Sequence, residues 1–193
     1  MLRVDRGRLA EPGDFDARCR KPGNEWLAAH PAGQRPRDYW SPFKGRLADG
    51  FGELCAYAAM YEPVGTVDHF VSADENRSLA YEWANYRYAS AWINSSKNRT
   101  RAAEILDPLL VETGWFRILL PSLQLVTTER IPIAIRPLAE STLRRLHLGD
   151  DERVIRQRRA WYKLWQRGEL TLVGLRQMAP LIAEAVTSSS PLP

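Results

Sequence analysis

The sequence predicts an α+β fold, and three observations support that class. The run Thr66–Val71 is short and rich in β-branched and aromatic residues, which is typical of a strand. Two more candidate strands, Trp115–Leu120 and Leu123–Thr128, flank the turn residues Pro121-Ser122. The C-terminal third carries helical patterns instead, so most helices are expected after the last strands.

The composition is that of a globular protein with a mild excess of basic residues. A chain of 193 residues can bury one sizeable core, and its formal net charge of +4 permits a polyanionic partner without requiring one. Cys19 and Cys55 cannot make a disulfide framework, and no apolar run approaches the roughly 20 residues that span a bilayer. We therefore expect a cytoplasmic protein with free thiols and no membrane association.

The N-terminal part, residues 1–46, is predicted to be an irregular wrap rather than a separate domain. Prolines interrupt the short helical pieces expected near Glu25–Ala29 and Asp38–Phe43. The apolar, Ala-rich residues 47–61 fit either a strand-turn-helix or a short helix. They begin a predicted core region that extends over residues 47–136.

Within that region, the strand at residues 66–71 is followed by polar residues, Ser72–Ser78, that predict a loop. A helix with an aromatic-rich face is then expected from Ala80 to about Ile93. A polar and basic stretch, Asn94–Arg101, follows it. Ile131–Ile135 is a further candidate for a short strand.

The region 137–187 is predicted to hold three helices, at Leu138–Leu148, Asp151 to about Arg167, and Leu172–Val186, the last disturbed by Pro180. The final residues, 188–193, are predicted to be a disordered tail. Residues 136–170 contain nine basic and five acidic residues. This excess indicates either a solvated helix face or a surface that contacts phosphates.

Residues that can carry chemistry cluster between positions 55 and 108. Asp68-His69 lies in the predicted strand, and Asn85 and Asn94 follow with eight residues between them. A histidine with a near-neutral pKa can take a proton from water. A carboxylate and an amide oxygen suit a hard divalent cation that binds a phosphate. The set is therefore suited to phosphodiester hydrolysis.

This order and spacing resemble the HNH endonuclease superfamily, the ββα-metal nucleases. In that family a strand ends in Asp-His, a loop carries Asn, and a helix supplies a final His or Asn. The resemblance implies that His69 is the general base and that Asn85 holds the loop and orients it. It also implies that Asp68 and Asn94 are the ligands of one Mg²⁺ or Mn²⁺ ion.

Basic residues near the motif are expected to contact nucleic acid, and these are Arg87, Lys97, Arg99 and Arg101. Lys97 falls three residues after Asn94, as in the family, where it either contacts a phosphate or steadies the helix. Phosphate contacts position a substrate without reading its sequence. DNA is the expected substrate, and RNA remains open.

Many HNH proteins also hold a structural zinc with two Cys-x-x-Cys pairs. The matching positions here are Cys55 and Ala58, then Ser90 and Ile93, so three of the four thiolates are missing. We predict no structural zinc and apolar packing in its place. The departure also leaves an alternative, in which a degenerate HNH scaffold binds nucleic acid or a partner protein without cleavage.

Two further stretches, Tyr81–Arg87 and Asp107-Pro108 followed by Gly114–Phe116, resemble bacterial HNH proteins that accompany ATPases in anti-phage defence. The resemblance implies an antiviral role. Because the chain has no Walker A pattern, any ATPase would be a separate protein.

Overall fold

The computed structural model describes residues 1–31, 33–98 and 100–189. Two separate two-stranded antiparallel sheets are surrounded by helices, which confirms the α+β class. One cluster of buried apolar side chains runs from Met1 to Val186 and joins the N-terminal, central and C-terminal segments. No helix within these described ranges is both long and apolar enough to cross a bilayer.

The N-terminal segment is more helical than predicted. It contains helices α1 (Lys21–Ala29) and α2 (Lys44–Gly50), and α2 packs on the first sheet. Short 3-10 or π-helical turns precede α1 at Arg6–Leu9 and Asp16–Arg20, and another precedes α2 at Ser41–Phe43. The Phe15 ring meets the edges of the Trp83 and Tyr86 rings, so this segment is part of the core that supports the first sheet.

The first sheet pairs strand β1 (Thr66–His69) with strand β2 (Tyr86–Ala89). Asp68 lies opposite Arg87, and His69 lies opposite Tyr86. Helix α3 (Ala91–Lys97) follows β2 directly and packs on β1. The loop between the strands contains 3-10 turns at Arg77–Leu79 and Trp83–Asn85.

The predicted helix from Ala80 to about Ile93 is wrong, because this stretch contains β2 and only the start of α3. All four residues of β2 are buried, and aromatic side chains are favoured in strands. The Tyr86 hydroxyl donates to the Ala80 carbonyl, and the Tyr88 hydroxyl donates to the Glu62 carbonyl. These hydrogen bonds reach six and 26 residues back along the chain, and helical periodicity does not predict them.

The second sheet pairs strand β3 (Phe116–Leu119) with strand β4 (Gln124–Thr127) around Pro121-Ser122, as predicted. The predicted strand at Ile131–Ile135 is wrong. The carbonyl of Pro132 accepts hydrogen bonds from the backbone N–H groups of Ile135 and Arg136, so the segment turns into the next helix.

The C-terminal helices are α4 (Arg136–Arg145), α5 (Glu152–Gln166), α6 (Leu172–Met178) and α7 (Pro180–Ser189). The third predicted helix is thus divided at Pro180, which cannot continue the backbone hydrogen bonding of α6. Helix α4 packs on β4, α7 packs on β3, and α5 packs on α6. Residues 188 and 189 of the predicted tail belong to α7, and residues 190–193 lie outside the described ranges.

Candidate active site

An open cleft of about 850 Å³ brings the central motif together with the N-terminal segment. The motif contributes Asp68, His69, Asn94 and Lys97 to its wall, and the segment before α2 contributes Trp40. Asn85 is buried and supports the loop that follows β1. The structure therefore brings the predicted base and both predicted metal ligands to one cleft.

The His69 ring is fixed in one tautomer by a backbone carbonyl. Its Nε2 lies 2.8 Å from the Ala80 carbonyl oxygen. A carbonyl can only accept a hydrogen bond, so Nε2 carries the proton and Nδ1 is left as the basic nitrogen of the neutral ring. Burial lowers the pKa of His69, while the bond to Ala80 acts in the opposite direction. The neutral ring is therefore favoured near pH 7.

Two aromatic rings, one from the N-terminal segment and one from β2, contact the His69 imidazole. The Trp40 and Tyr86 rings both meet it edge to face, with centroids 4.5 and 4.9 Å away. Tyr86 is its cross-strand neighbour, but Trp40 comes from the N-terminal segment, far away in sequence. Sequence reasoning missed Trp40, since a tryptophan in a proline-rich stretch gives no local sign of its partner.

Asn85 holds the loop between β1 and β2 with a complete set of side-chain hydrogen bonds. Its Oδ1 accepts from the Val71 N–H at 2.8 Å, and its Nδ2 donates to the carbonyls of Val71 and Leu79 at 2.9 and 3.0 Å. Leu79 directly precedes Ala80, whose carbonyl orients His69. Asn85 thus acts on His69 through the backbone rather than by direct contact.

Asp68 is a buried carboxylate that already has two partners. Its Oδ1 lies 2.7 Å from the Lys97 Nζ, and its Oδ2 accepts from the Tyr57 hydroxyl at 2.6 Å. Lys97 also donates to the His69 carbonyl, and the Asp68 and Lys97 side chains are only 2% and 4% exposed. Burial, followed by the charge of Asp68, raises the pKa of Tyr57 well above its usual value, so Tyr57 remains a donor.

Asn94 projects from α3 onto the start of β1. Its Nδ2 donates to Thr66 Oγ1 at 3.1 Å and lies 3.5 Å from the Val67 carbonyl oxygen. This contact directs the amide group toward the strand that ends in Asp68-His69. The amide oxygen accepts no hydrogen bond from the described residues and is free to bind a ligand.

The carboxylate oxygens of Asp68 and the amide oxygen of Asn94 are the ligand types that a hard divalent ion prefers. Mg²⁺ takes oxygen ligands and keeps several waters, and a carboxylate has about four acceptor positions, of which Lys97 and Tyr57 use two. The Lys97 charge opposes a second cation beside Asp68. No group of three His, Cys, Asp or Glu residues converges within residues 1–31, 33–98 and 100–189, so a bound ion would rely mainly on waters and phosphate.

The residues predicted to contact nucleic acid differ in burial and in their ion-pair partners. Arg87 is buried and forms a two-pronged ion pair with Asp107, with N–O distances of 2.7 and 2.6 Å. Lys97 is the buried partner of Asp68, which matches its alternative role of steadying the helix. Arg101 is exposed, and Arg99 lies outside the described residues. Asp107 had no predicted role, and only the fold reveals it as the partner of Arg87.

Of the four positions that the resemblance matches to zinc ligands, Cys55 and Ser90 are in contact. Cys55 Sγ lies 3.7 Å from Ser90 Oγ and accepts the Ser90 backbone N–H at 3.4 Å. Ala58 and Ile93 are both buried in the same apolar core. Cys19, the other free thiol, is buried beside the Tyr86 hydroxyl. Burial raises the pKa of the Cys19 thiol to about 11.

Neither a protein-family model nor a curated protein sequence matches this chain. The roles of the site residues therefore depend on the geometry above and on the motif itself.

Proposed function

We propose that this protein is a metal-dependent nuclease of the HNH type that hydrolyses phosphodiester bonds in DNA. The observation that carries the proposal is the neutral His69 ring, fixed by the Ala80 carbonyl beside the acidic residue of the Asp-His pair. A base with this tautomer, in a cleft that also contains carboxylate and amide oxygens, is suited to activating water.

In the proposed reaction, His69 Nδ1 takes a proton from a water molecule. The water oxygen forms a bond to phosphorus, the bond from phosphorus to the leaving 3′ oxygen breaks, and that oxygen takes a proton from a second, solvent water. Trp40 and Tyr86 restrict the His69 ring, while Asn85 fixes the loop that carries its carbonyl partner. Asp68 and Asn94 would hold the Mg²⁺ or Mn²⁺ ion, which supplies charge stabilisation to the phosphate.

The order of elements supports the resemblance to the HNH superfamily. Two antiparallel strands and a helix, β1, β2 and α3, carry the motif residues in the expected sequence. Cys55 and Ser90, which correspond to ligands of different Cys-x-x-Cys pairs, are in contact. This contact is expected if apolar packing has replaced a zinc site in the same scaffold.

A role in antiviral defence, with a separate ATPase as partner, is part of the proposal and follows only from the resemblance. RNA remains an alternative substrate, since the base and the oxygen donors act on the phosphate rather than on the sugar.

The second candidate function is binding without cleavage. The Lys97 and Tyr57 contacts to Asp68 favour it, because a carboxylate neutralised by a lysine attracts a metal ion less strongly. In that case the cleft would bind nucleic acid or a partner protein and hydrolyse nothing.

A plasmid-cleavage assay separates the two functions. Wild-type protein is incubated with Mg²⁺ or Mn²⁺, with and without EDTA, and compared with His69→Asn. The matched control is His147→Asn, which changes an exposed histidine at a positive φ that asparagine tolerates. Loss of the general base is expected to slow cleavage by about 10²- to 10⁴-fold.

Cleavage that is lost in His69→Asn and in EDTA, but kept in His147→Asn, supports the nuclease. Cleavage that survives in His69→Asn shows that the proposed base is wrong. A folded wild-type protein that never cuts DNA or RNA with either metal favours the binding function.

A further inference from the structure

Helix α5 presents a straight row of cations on its solvent side. Arg156, Arg159, Lys163 and the capping residue Arg167 are all exposed. Their spacing of three, four and four residues places them within about 80° of one another around the helix axis, since each residue turns the helix by roughly 100°. With a rise of about 1.5 Å per residue, the row is about 16 Å long.

These cations are largely free of acidic partners. Within the part of the chain that the structure describes, Arg156, Arg159 and Lys163 form no ion pair, and Arg167 has only a 3.5 Å contact with the exposed Glu169. The acidic residues of this region lie at the helix ends instead, where Asp151 caps the first turn. The middle of the row therefore carries an uncompensated positive charge.

The opposite side of α5 is held firmly by the core. Val154 and Arg158 are buried, and the Gln157 side chain donates to the Tyr61 carbonyl. At its first turn, the Arg153 guanidinium lies 4.5 Å from the ring of Trp92, two residues before Asn94 in α3. The cationic row thus lies on a helix whose opposite side is packed into the core and whose first turn contacts α3 of the candidate site.

We infer that this row, Arg156, Arg159, Lys163 and Arg167, binds the phosphate backbone of a nucleic-acid duplex. Duplex DNA carries one negative charge per about 1.7 Å of axis, so a 16 Å row of cations meets a continuous line of phosphates. Arginine forks also match phosphate oxygens in pairs. The identity of the polyanion rests on the proposed nuclease function, but the row lies outside the cleft and adds a surface that would hold substrate without cutting it.

Binding is measured by fluorescence anisotropy with a short labelled DNA duplex and with the matching RNA duplex, in EDTA so that nothing is cut. The test variant combines Arg156→Gln, Arg159→Gln and Lys163→Gln, which keep good helix formers at exposed positions. The control combines Arg46→Gln, Arg117→Gln and Arg130→Gln, which remove the same charge from exposed positions elsewhere. Thermal unfolding verifies that both variants are folded.

The α5 variant is expected to bind at least tenfold more weakly at about 50 mM salt than the control. Its slope of log K against log salt should fall by about 3, since each lost phosphate contact removes about 0.9. Weaker binding to the DNA duplex alone shows that the row binds DNA. Weaker binding to both duplexes shows that it binds the phosphate backbone that they share.

Equal weakening in both variants would overturn the inference, because net charge would then explain the effect. Unchanged duplex binding by the α5 variant would also overturn it. A variant that loses binding to polyglutamate alone would overturn it too, because the partner would then be an acidic protein. If the protein does not cleave plasmid DNA but its duplex binding depends on α5, the nuclease function is rejected and the row is still a nucleic-acid-binding surface.

Discussion

The two halves of the molecule bury positive charge in different ways. Around the first sheet, the buried cations Lys97 and Arg87 are each paired with a carboxylate, the buried Asp68 and the partly buried Asp107. Behind the second sheet, Arg158 is buried without a carboxylate and donates to the carbonyls of Leu123, Leu148 and Gly149. Burial lowers the pKa of Arg158 to about 10, which leaves it charged near pH 7.

The paired cation Lys97 belongs to the candidate site, whereas Arg158 only stabilises the fold around the second sheet. Carbonyls are fixed by the backbone, so Arg158 joins α5 to the turn of the second sheet and to the loop after α4 without adding a titratable partner. The pair Lys97–Asp68 instead places an acidic group beside His69 and holds it in a defined position. A buried pair of this kind depends on both partners, because the loss of one leaves a charge without compensation.

The largest effect on stability is expected when Lys97 is removed. Lys97→Met leaves Asp68 buried and uncompensated, which should lower the free energy of unfolding by about 3–5 kcal/mol. Urea unfolding, followed by circular dichroism, measures the change, with the exposed Lys163→Met as control.

The double variant Lys97→Met with Asp68→Asn should recover part of this loss, since it removes both charges. A loss below about 1 kcal/mol in Lys97→Met would contradict the buried pair. No recovery in the double variant would show that Lys97 stabilises the fold by packing instead.

Loss of Arg158 should have a smaller effect than loss of Lys97. Arg158→Met removes the donors of three carbonyls, but Gly149 still accepts from the Leu125 N–H at 3.1 Å. We expect a loss of about 1–3 kcal/mol, with the exposed neighbour Arg159→Met nearly neutral. A loss for Arg158→Met that exceeds the loss for Lys97→Met would reverse the comparison between the two halves.

Asn85→Asp tests whether the loop is held through the side-chain amide. The aspartate can still accept from the Val71 N–H, but it directs an oxygen at the Val71 and Leu79 carbonyls, which should cost about 1–3 kcal/mol. Cleavage should also slow, because the Ala80 carbonyl shifts. Asn76→Asp is the matched control, since the Asn76 side chain only accepts hydrogen bonds, from Ser78. If Asn85→Asp and Asn76→Asp cleave at the same rate, Asn85 does not act on His69.

A pH profile gives the smallest effect and sharpens the comparison, because burial lowers the pKa of His69, whereas the pKa of Arg158 is about 10 and Arg158 stays charged near pH 7. Since burial lowers the pKa of His69 below 6.5, the neutral base persists to lower pH than in a free histidine. The cleavage rate should be constant near neutral pH and fall as the pH drops through a midpoint below 6.5. A midpoint above 6.5 would contradict the neutral, carbonyl-bound ring.

The sequence predicted the second sheet and the C-terminal helices well because their signals are local. Pro121-Ser122 marks the turn, Asp151 caps α5, and Pro180 ends α6. The Asp-His motif at the end of β1 was visible for the same reason. The helix predicted over residues 80–93 failed because the spacing of Tyr86 and Tyr88 is that of one strand face, whereas two such residues lie about 200° apart on a helix.

The sequence alone thus determined the fold class, the residues that can carry chemistry, and most elements whose limits are set by neighbouring residues. Tertiary structure decided which of those residues act on each other: the pairing of β1 with β2, the contact of Trp40 with His69, and the burial of Lys97 beside Asp68. Local spacing determines turns and caps, whereas ring contacts and ion pairs depend on segments that meet only when the core forms.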